Sequence, residues 1–277
     1  MTDKYAVIGN PIGHSKSPFI HAAFARQTGQ DMEYGHILGH PDGFGADVRR
    51  FFDQGGQGLN VTVPFKEQAW EIADERSPGA EGAGAVNTMI LLPGGRLAGD
   101  NTDGVGLVRD LTDNQGFELT AQKVLLLGAG GASRGVLRPL LETGLAALVI
   151  ANRTAPKALE LAAATGEDRV RGCGLDGLAG QSFDLIINAT SAGLEGGVPG
   201  IPGSCLAPGG WTYDMLYGDA PTPFQRWGTE RGAARALDGL GMLVEQAAES
   251  FFLWRGVRPE TPPVIVQLRH ERAQPRP

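Results

Sequence analysis

The run Val124-Leu125-Leu126-Leu127 leads directly into Gly128-Ala129-Gly130-Gly131-Ala132-Ser133, and this junction limits the fold more than any other stretch. Successive apolar residues suit a strand of a parallel sheet buried on both faces. The spacing predicts a helix from Ser133 to Leu141, opened by Ser133 as a capping residue. A strand, a glycine turn and a helix N-terminus together make a cradle for a phosphate. Gly128 allows the tight turn, and Gly130 lets the backbone approach an anion at the positive helix end. Ser133 stands at a third small position where glycine or alanine is usual. In a chain with 42 glycines the glycine pattern alone is weak, and its weight comes from the strand before it and the helix after it. The competing reading is a plain turn whose glycines serve packing.

The 277 residues suffice for one large domain or two modest ones. A formal net charge of −7 argues against a nucleic-acid or membrane-surface partner. No apolar run reaches the ~18 residues a membrane span needs. Met1 to Tyr5 lacks the apolar core of a secretory signal. Cys173 and Cys205 lie far apart without metal-type spacing and are expected to be reduced thiols of a cytoplasmic protein. The five histidines include no H-E-x-x-H pair, and no metal site is expected.

In the N-terminal part, Tyr5 to Gly9 reads as a strand. Pro18 then suits a first helical position, making Ser17 the expected N-cap of a helix through Phe24. Ser15 and Ser17 thus flank a helix N-terminus, where they can hold a carboxylate or simply cap the helix. Met32 to Leu38 reads as a strand, and Phe44 to Phe52 as a helix with Val48, Phe51 and Phe52 on its apolar side, ended by Gly55 to Gly58. Leu59 to Val63 is a strand stopped by Pro64. This puts Thr62 at its C-terminal end and Lys66 in the first turn of the next helix, at the sheet edge where α/β proteins bind ligands. For Lys66 the competing reading is a solvated surface lysine. Ala85 to Leu91 and Leu97 to Asp100 form a hairpin about Pro93 to Arg96. Asp103 then lies at the start of a helix from Val105 to Leu111, as a dipole-stabilised carboxylate or as a cap.

Further on, Ala147 to Ala151 is a second buried strand, ending in Asn152-Arg153-Thr154 with Lys157 close behind. An NAD-binding fold usually places a carboxylate there on the ribose 2′-hydroxyl. Here two cations stand ready for a 2′-phosphate instead, which favours NADP over NAD. Phe183 to Ala189 reads as a strand, Thr190 to Gly193 as a loop on the cofactor side, and Pro199 to Gly210 as a surface loop. Trp211 to Met215 is the next strand, Pro223 to Gly232 a helix, and Ala234 to Asp238 the strand that closes the sheet. Gly239 and Gly241 allow a tight crossing into a helix from Met242 to Trp254, whose Gln246 returns to the first domain. After it only a short segment, Val264 to Leu268, is expected, with His270 to Pro277 disordered.

Several of these stretches together resemble the shikimate dehydrogenases. They are Gly9 to Pro18, Asn60 to Lys66, Gly84 to Thr88, Asn101 to Gly104, Gly128 to Ala132, Asn152 to Thr154, Asp214 to Gly218 and Gly239 to Ala247. The resemblance covers nearly the whole chain. It implies an α/β protein of two domains with a cleft between them, which closes on binding. Residues 1–103, completed by 239–277, would be the substrate-binding and catalytic domain, and 104–238 the Rossmann-type NADP-binding domain. The implied activity is NADP-linked, reversible reduction of 3-dehydroshikimate to shikimate by direct hydride transfer. By matching motif, Lys66 and Asp103 become the catalytic pair, with Lys66 handling the proton. Ser15 and Ser17 would hold the substrate carboxylate, and Thr62, Asn87, Tyr217 and Gln246 the ring hydroxyls. Gly128, Ala129, Gly130, Gly131, Ala132, Asn152, Arg153, Thr154, Lys157, Met215 and Gly239 would meet the cofactor.

Ala22 departs from the family pattern, in which asparagine usually follows the residue equivalent to His21. Residues 77–82 match only loosely. The nearest rival is a quinate dehydrogenase, or one that accepts both substrates. A non-catalytic NADP sensor has no need of the Lys66–Asp103 pair, and a glycine-loop methyltransferase has no phosphate for Arg153 and Lys157. The expected partner is a small molecule, with no nucleic acid and no membrane, for a monomer or homodimer in the cytoplasm.

Overall fold

A computed structural model describes residues 2–273. The chain begins with β1 (Asp3–Gly9), α1 (Ser17–Thr28), β2 (Met32–Leu38), α2 (Phe44–Asp53), β3 (Gly56–Val61) and α3 (Lys66–Ile72). Next come β4 (Glu75–Arg76), α4 (Pro78–Ala83), the hairpin β5 (Thr88–Leu91) and β6 (Leu97–Asp100), and α5 (Asp103–Arg109). Then follow β7 (Lys123–Leu127), α6 (Gly131–Glu142), β8 (Ala147–Asn152), α7 (Ala155–Ala163), β9 (Val170–Gly174) and β10 (Phe183–Asn188). The last elements are β11 (Leu206–Asp214), α8 (Pro223–Glu230), β12 (Arg235–Leu237), α9 (Leu240–Arg255) and α10 (Pro262–Ala273). They form two compact units, one running to Gly106 and resuming at Leu243, the other spanning Leu107–Met242.

The first unit holds a six-stranded sheet in the order β2-β1-β3-β5-β6-β4. β1 pairs in parallel with β2 and β3, and β5 runs antiparallel to both β3 and β6. One core packs Ile8, Leu59, Val61 and Met89 with Phe44 and Phe65, whose rings stack at 4.9 Å. A second cluster is aromatic. His21 stacks on Tyr34 at 4.1 Å and meets Phe24, Phe251 and Trp254, the last two from α9. Trp254 also donates its indole N–H to the Met89 carbonyl at 3.0 Å.

Three expectations for this unit need correction. Ser17 is not the N-cap of α1. Lys16 is, Ser17 and Pro18 begin the helix, and it continues to Thr28, where Gly29 in the left-handed region stops it. Gly56 to Gly58 do not end α2 but open β3, because aromatic rings press on them there. A Cβ on Gly56 would lie 2.3 Å from the Phe51 ring, and one on Gly58 2.4 Å from Trp254 Nε1. The C-terminal segment is a helix, α10, that includes His270 to Ala273. Its prolines sit in the first turn, where no N–H is needed, and its Val264, Ile265 and Leu268 are buried. The rest of the expected disordered tail, residues 274–277, lies outside the described residues.

The second unit is a six-stranded, all-parallel sheet in the order β9-β8-β7-β10-β11-β12. This is the doubly wound order, and the strand sequence reverses direction between β7 and β10. Val124, Leu125, Leu126 and Leu127 are fully buried, divided between cores on the two faces. Here β11 begins at Leu206, not at Trp211. Leu206 pairs with Phe183 across an irregularity in the register, so much of the expected loop is already strand. α6 begins at Gly131 with Gly130 as its N-cap, so Ser133 is not a cap; it lies in the first turn, fully buried, with no partner for its hydroxyl. The helix opened by Asp103 ends at Arg109 and passes into a wider turn at Asp110–Asn114, where Tyr213 donates to Asp110 at 2.7 Å.

Gly172 of β9 shows how closely this sheet is covered. An added Cβ would fall 2.3 Å from the Ala158 carbonyl oxygen of α7, and backbone cannot swing aside as a side chain can. Gly172→Ala is therefore expected to cost about 1–3 kcal/mol, read as a lower urea midpoint with an unchanged slope.

Candidate active site

The first unit assembles its polar groups at the C-terminal end of β3. After Val61 the chain passes through Thr62 and a cis Val63–Pro64 bond into α3, whose first residue is Lys66. The Val86 N–H donates to the Lys66 carbonyl at 2.9 Å, fixing the start of that helix beside the segment that carries Asn87. The Lys66 ammonium then meets Asp103 Oδ2 at 2.6 Å, with both side chains largely sheltered. Asn87 Nδ2 donates to the other carboxylate oxygen at 2.8 Å.

The orientation of the Asn87 amide follows from its partners. Its Oδ1 accepts from the Thr102 N–H at 2.9 Å, the Thr88 hydroxyl at 2.9 Å and the Thr102 hydroxyl at 3.2 Å. Only donors face that oxygen, so the NH₂ must face Asp103. The carboxylate thus accepts from an amide and an ammonium, while the ammonium keeps N–H bonds for a further oxygen. Gln246 of α9 brings Oε1 within 3.5 Å of both Asn87 Nδ2 and Thr102 Oγ1.

The proposed substrate contacts are placed unequally. Asn87 and Gln246 join the Lys66–Asp103 cluster directly. Thr62 follows β3 directly, half-buried, with its N–H on the Ile8 carbonyl at 2.9 Å. Ser15 Oγ accepts from the Ser17 N–H at 3.3 Å, and the Ser17 hydroxyl lies beside the Tyr34 phenol. Tyr34 donates to Asn60 Oδ1 at 2.7 Å, and burial pushes its phenol well above the usual range. Tyr217 belongs to the second unit, in the segment after β11, with its side chain exposed.

Sequence reasoning missed Asn60, Thr88, Thr102 and Ser250, all buried around this cluster. Asn60 and Thr102 lie inside stretches already singled out, and a polar residue within a buried strand end was the available signal.

The second unit carries a cavity of about 700 Å³ at the C-terminal edge of its sheet, beyond the ends of β7, β8 and β10. Gly128 to Ala132, Asn152, Arg153, Thr154 and Lys157 all line it, together with Ala189 to Ala192, Leu175 and Val198. Gly128 has φ +108°, and a Cβ there would press on Ser133 Oγ and the Ala189 carbonyl. Nothing of the protein lies within 4 Å of a Cβ built on Gly130, so its bare face opens towards the cavity. Among the described residues lining the cavity, the charged ones are Arg153 and Lys157, with no carboxylate beside them. This fits a dinucleotide with an extra phosphate on its ribose.

Thr190, in the cavity wall, donates to Asn188 Oδ1 at 2.7 Å, and Asn188 Nδ2 donates to buried Asp214 at 3.0 Å. Burial pushes the Asp214 carboxyl up, against the Thr222, Leu216 and Asn188 donors. Met215 and Gly239 do not line the cavity. They meet each other instead, and a Cβ on Gly239 would lie 2.3 Å from the Met215 carbonyl. Among the described residues no helix is long and apolar enough to cross a membrane, and no three His, Cys, Asp or Glu side chains group to hold a metal.

A doubly wound unit with this cradle, in one chain with a unit bearing a lysine–carboxylate pair, defines the class of dinucleotide-dependent oxidoreductases. Residues 7–89 match the shikimate dehydrogenase substrate binding domain, 110–195 shikimate/quinate 5-dehydrogenase, and 239–269 the shikimate 5′-dehydrogenase C-terminal domain. The shikimate dehydrogenase (NADP(+)) of Alkalilimnicola ehrlichii is 60% identical over 98% of this chain and 100% of its own. That of Methylococcus capsulatus is 57% identical over 98% and 97%. The crystal structure of Thermus thermophilus shikimate 5-dehydrogenase, in complex with NADP(H) and shikimate, superposes with a TM-score of 0.86 at 33% identity. It covers 98% of this chain and 99% of that one. The chain belongs to the shikimate dehydrogenase family.

Proposed function

We propose that this enzyme reduces 3-dehydroshikimate to shikimate with NADPH, reversibly, with Lys66 and Asp103 managing the proton. The observation that carries the reading is the Lys66–Asp103–Asn87 array. It presents an ammonium with free N–H bonds beside a carboxylate whose orientation is imposed by Asn87. When bound, the dinucleotide supplies or accepts the hydride. In reduction the Lys66 ammonium gives a proton from Nζ to the oxygen of the carbonyl being reduced, and takes another from solvent. In oxidation the neutral amine accepts the hydroxyl proton. Asp103 holds Lys66 in place and can accept a hydrogen bond from the reacting hydroxyl.

Ser15 and Ser17 would bind the substrate carboxylate, with Thr62, Asn87, Tyr217 and Gln246 on the ring hydroxyls. The cradle from Gly128 to Ala132 would hold the pyrophosphate. Asn152, Arg153, Thr154 and Lys157 would hold the adenosine ribose and its phosphate, and Met215 and Gly239 remain proposed cofactor contacts. Free Cys173 and Cys205 accord with a cytoplasmic location. We take the working form to be a monomer or homodimer, which light scattering would decide.

The test is absorbance at the reduced-nicotinamide band with shikimate or quinate, each with NADP or NAD. Shikimate with NADP should be much faster than the other three pairs. Preference for quinate would establish the second reading, which the match to shikimate/quinate 5-dehydrogenase over 110–195 keeps in view. Arg153→Ala should raise the KM for NADP about tenfold or more, as expected for losing a charged hydrogen bond to phosphate. The KM for NAD should barely change. Equal effects on both cofactors would remove Arg153 from phosphate recognition.

A further inference from the structure

We propose that Ser250 is a positioning residue for the substrate, acting through Gln246. Ser250 is fully buried in α9, one turn beyond Gln246. Its hydroxyl is a junction. Oγ lies 3.0 Å from Asn60 Nδ2 of β3, 2.7 Å from Thr88 Oγ1 of β5 and 3.4 Å from Thr102 Oγ1, next to Asp103. It donates to the Gln246 carbonyl at 3.0 Å.

Thr88 gives its one hydroxyl proton to Asn87 Oδ1, so Ser250 accepts from Asn60 and shares its own proton between the Gln246 carbonyl and Thr88 Oγ1. The second Asn60 N–H goes to the Asn87 carbonyl at 3.1 Å. Thr102 holds Asn87 Oδ1 as well, with both its N–H and its hydroxyl.

Gln246 itself is anchored weakly to this frame. Its Nε2 turns back to the Leu243 carbonyl at 2.8 Å, and its Oε1 reaches Asn87 and Thr102 only at 3.5 Å. The place of its carboxamide is therefore set by where α9 sits. Ser250 bonds α9 to both strands that lead to Asn87 and the Lys66 turn, so it holds Gln246 in register with the catalytic pair.

This inference rests on the reading of Gln246 as a substrate contact, and a double-mutant cycle separates the two. Steady-state constants are compared for wild type, Ser250→Ala, Gln246→Ala and the double variant. Ser250→Ala should raise the KM for shikimate about three- to tenfold, the worth of one ordinary hydrogen bond. The KM for NADP should stay within about twofold, well inside that loss. In the Gln246→Ala background the same substitution should add almost nothing. Full additivity, or a change in thermal midpoint with no change in the KM for shikimate, overturns the role of Ser250 and leaves Gln246 as a contact. A normal KM in Gln246→Ala alone overturns the reading beneath it as well. If Ser250→Ala does not fold, Ser250→Cys keeps the size with a weaker acceptor and enters the same cycle.

Discussion

Lys66→Ala is expected to lower turnover by about 10²–10⁴-fold, the usual worth of a positioned proton-transfer group. The KM for shikimate should change far less, because the bonds assigned to binding come from Ser15, Ser17, Thr62, Asn87, Tyr217 and Gln246. The loss should appear in both directions of the reaction, since the same nitrogen gives the proton in reduction and takes it in oxidation. Lys66→Met keeps the apolar stem and should be as inactive, which separates the amine from the packing of α3. Asn87 should remain bonded to Asp103 in both variants, because its orientation is imposed by Thr88 and Thr102 and not by the lysine. Initial rates at saturating substrate and cofactor decide the matter, and near-normal turnover in either variant would take Lys66 out of the chemistry.

The second large effect concerns acid stability, at His21. The ring is fully buried against Tyr34, and neither nitrogen has a hydrogen-bond partner. Burial pushes its pKa down from 6.5 to about 3. A group whose folded pKa is depressed leaves the unfolded chain holding the extra proton at intermediate pH. Its contribution is complete above the unfolded value and is lost as pH falls from there towards the folded one. The slope is about 1.4 kcal/mol per pH unit for one proton, amounting to several kcal/mol across the whole window. His21→Phe should remove that slope. It should also be as stable as wild type near pH 7.5, since it deletes two unpaired ring nitrogens and keeps the stack. Urea midpoints at pH 7.5, 6, 5 and 4 provide the test, with the pH values spanning the window about 6.5 to 3. An unchanged slope in the variant would assign the acid sensitivity to other groups.

Some of this was legible from the chain alone. The β7–glycine–α6 junction declares itself locally, since buried strand, positive-φ glycine and helix start are adjacent in sequence. Arg153 and Lys157 follow from a single missing carboxylate at the end of β8. Lys66 and Asp103 were candidates by their places at a strand end and a helix start, and their reading as a pair came from the family resemblance. The supporting network was not legible, because its partners are remote. Asn60 and Ser250 are separated by 190 positions, and no local pattern ties a β3 amide to an α9 hydroxyl. Helix ends were misplaced where serine was read by type, at Ser17 and Ser133, although one begins its helix and the other is buried within it. α10 was expected only as a short segment over Val264 to Leu268, although prolines at a first turn are compatible with a helix.

The first unit is split in the chain, and α9 and α10 reach it only from Leu243 onwards. During synthesis β1, β3 and β5 are therefore made long before the helices that complete their packing. The whole of Leu107–Met242 must emerge in between, which takes roughly ten seconds at ordinary translation rates. The later-made unit is contiguous and can finish folding first, while the first-made strands wait with Gly58 and Met89 uncovered by Trp254. A ribosome stalled once the second unit has emerged, before α9 follows, would thus carry an open aromatic surface, and chaperones would be expected to engage the older half of the nascent chain rather than the younger.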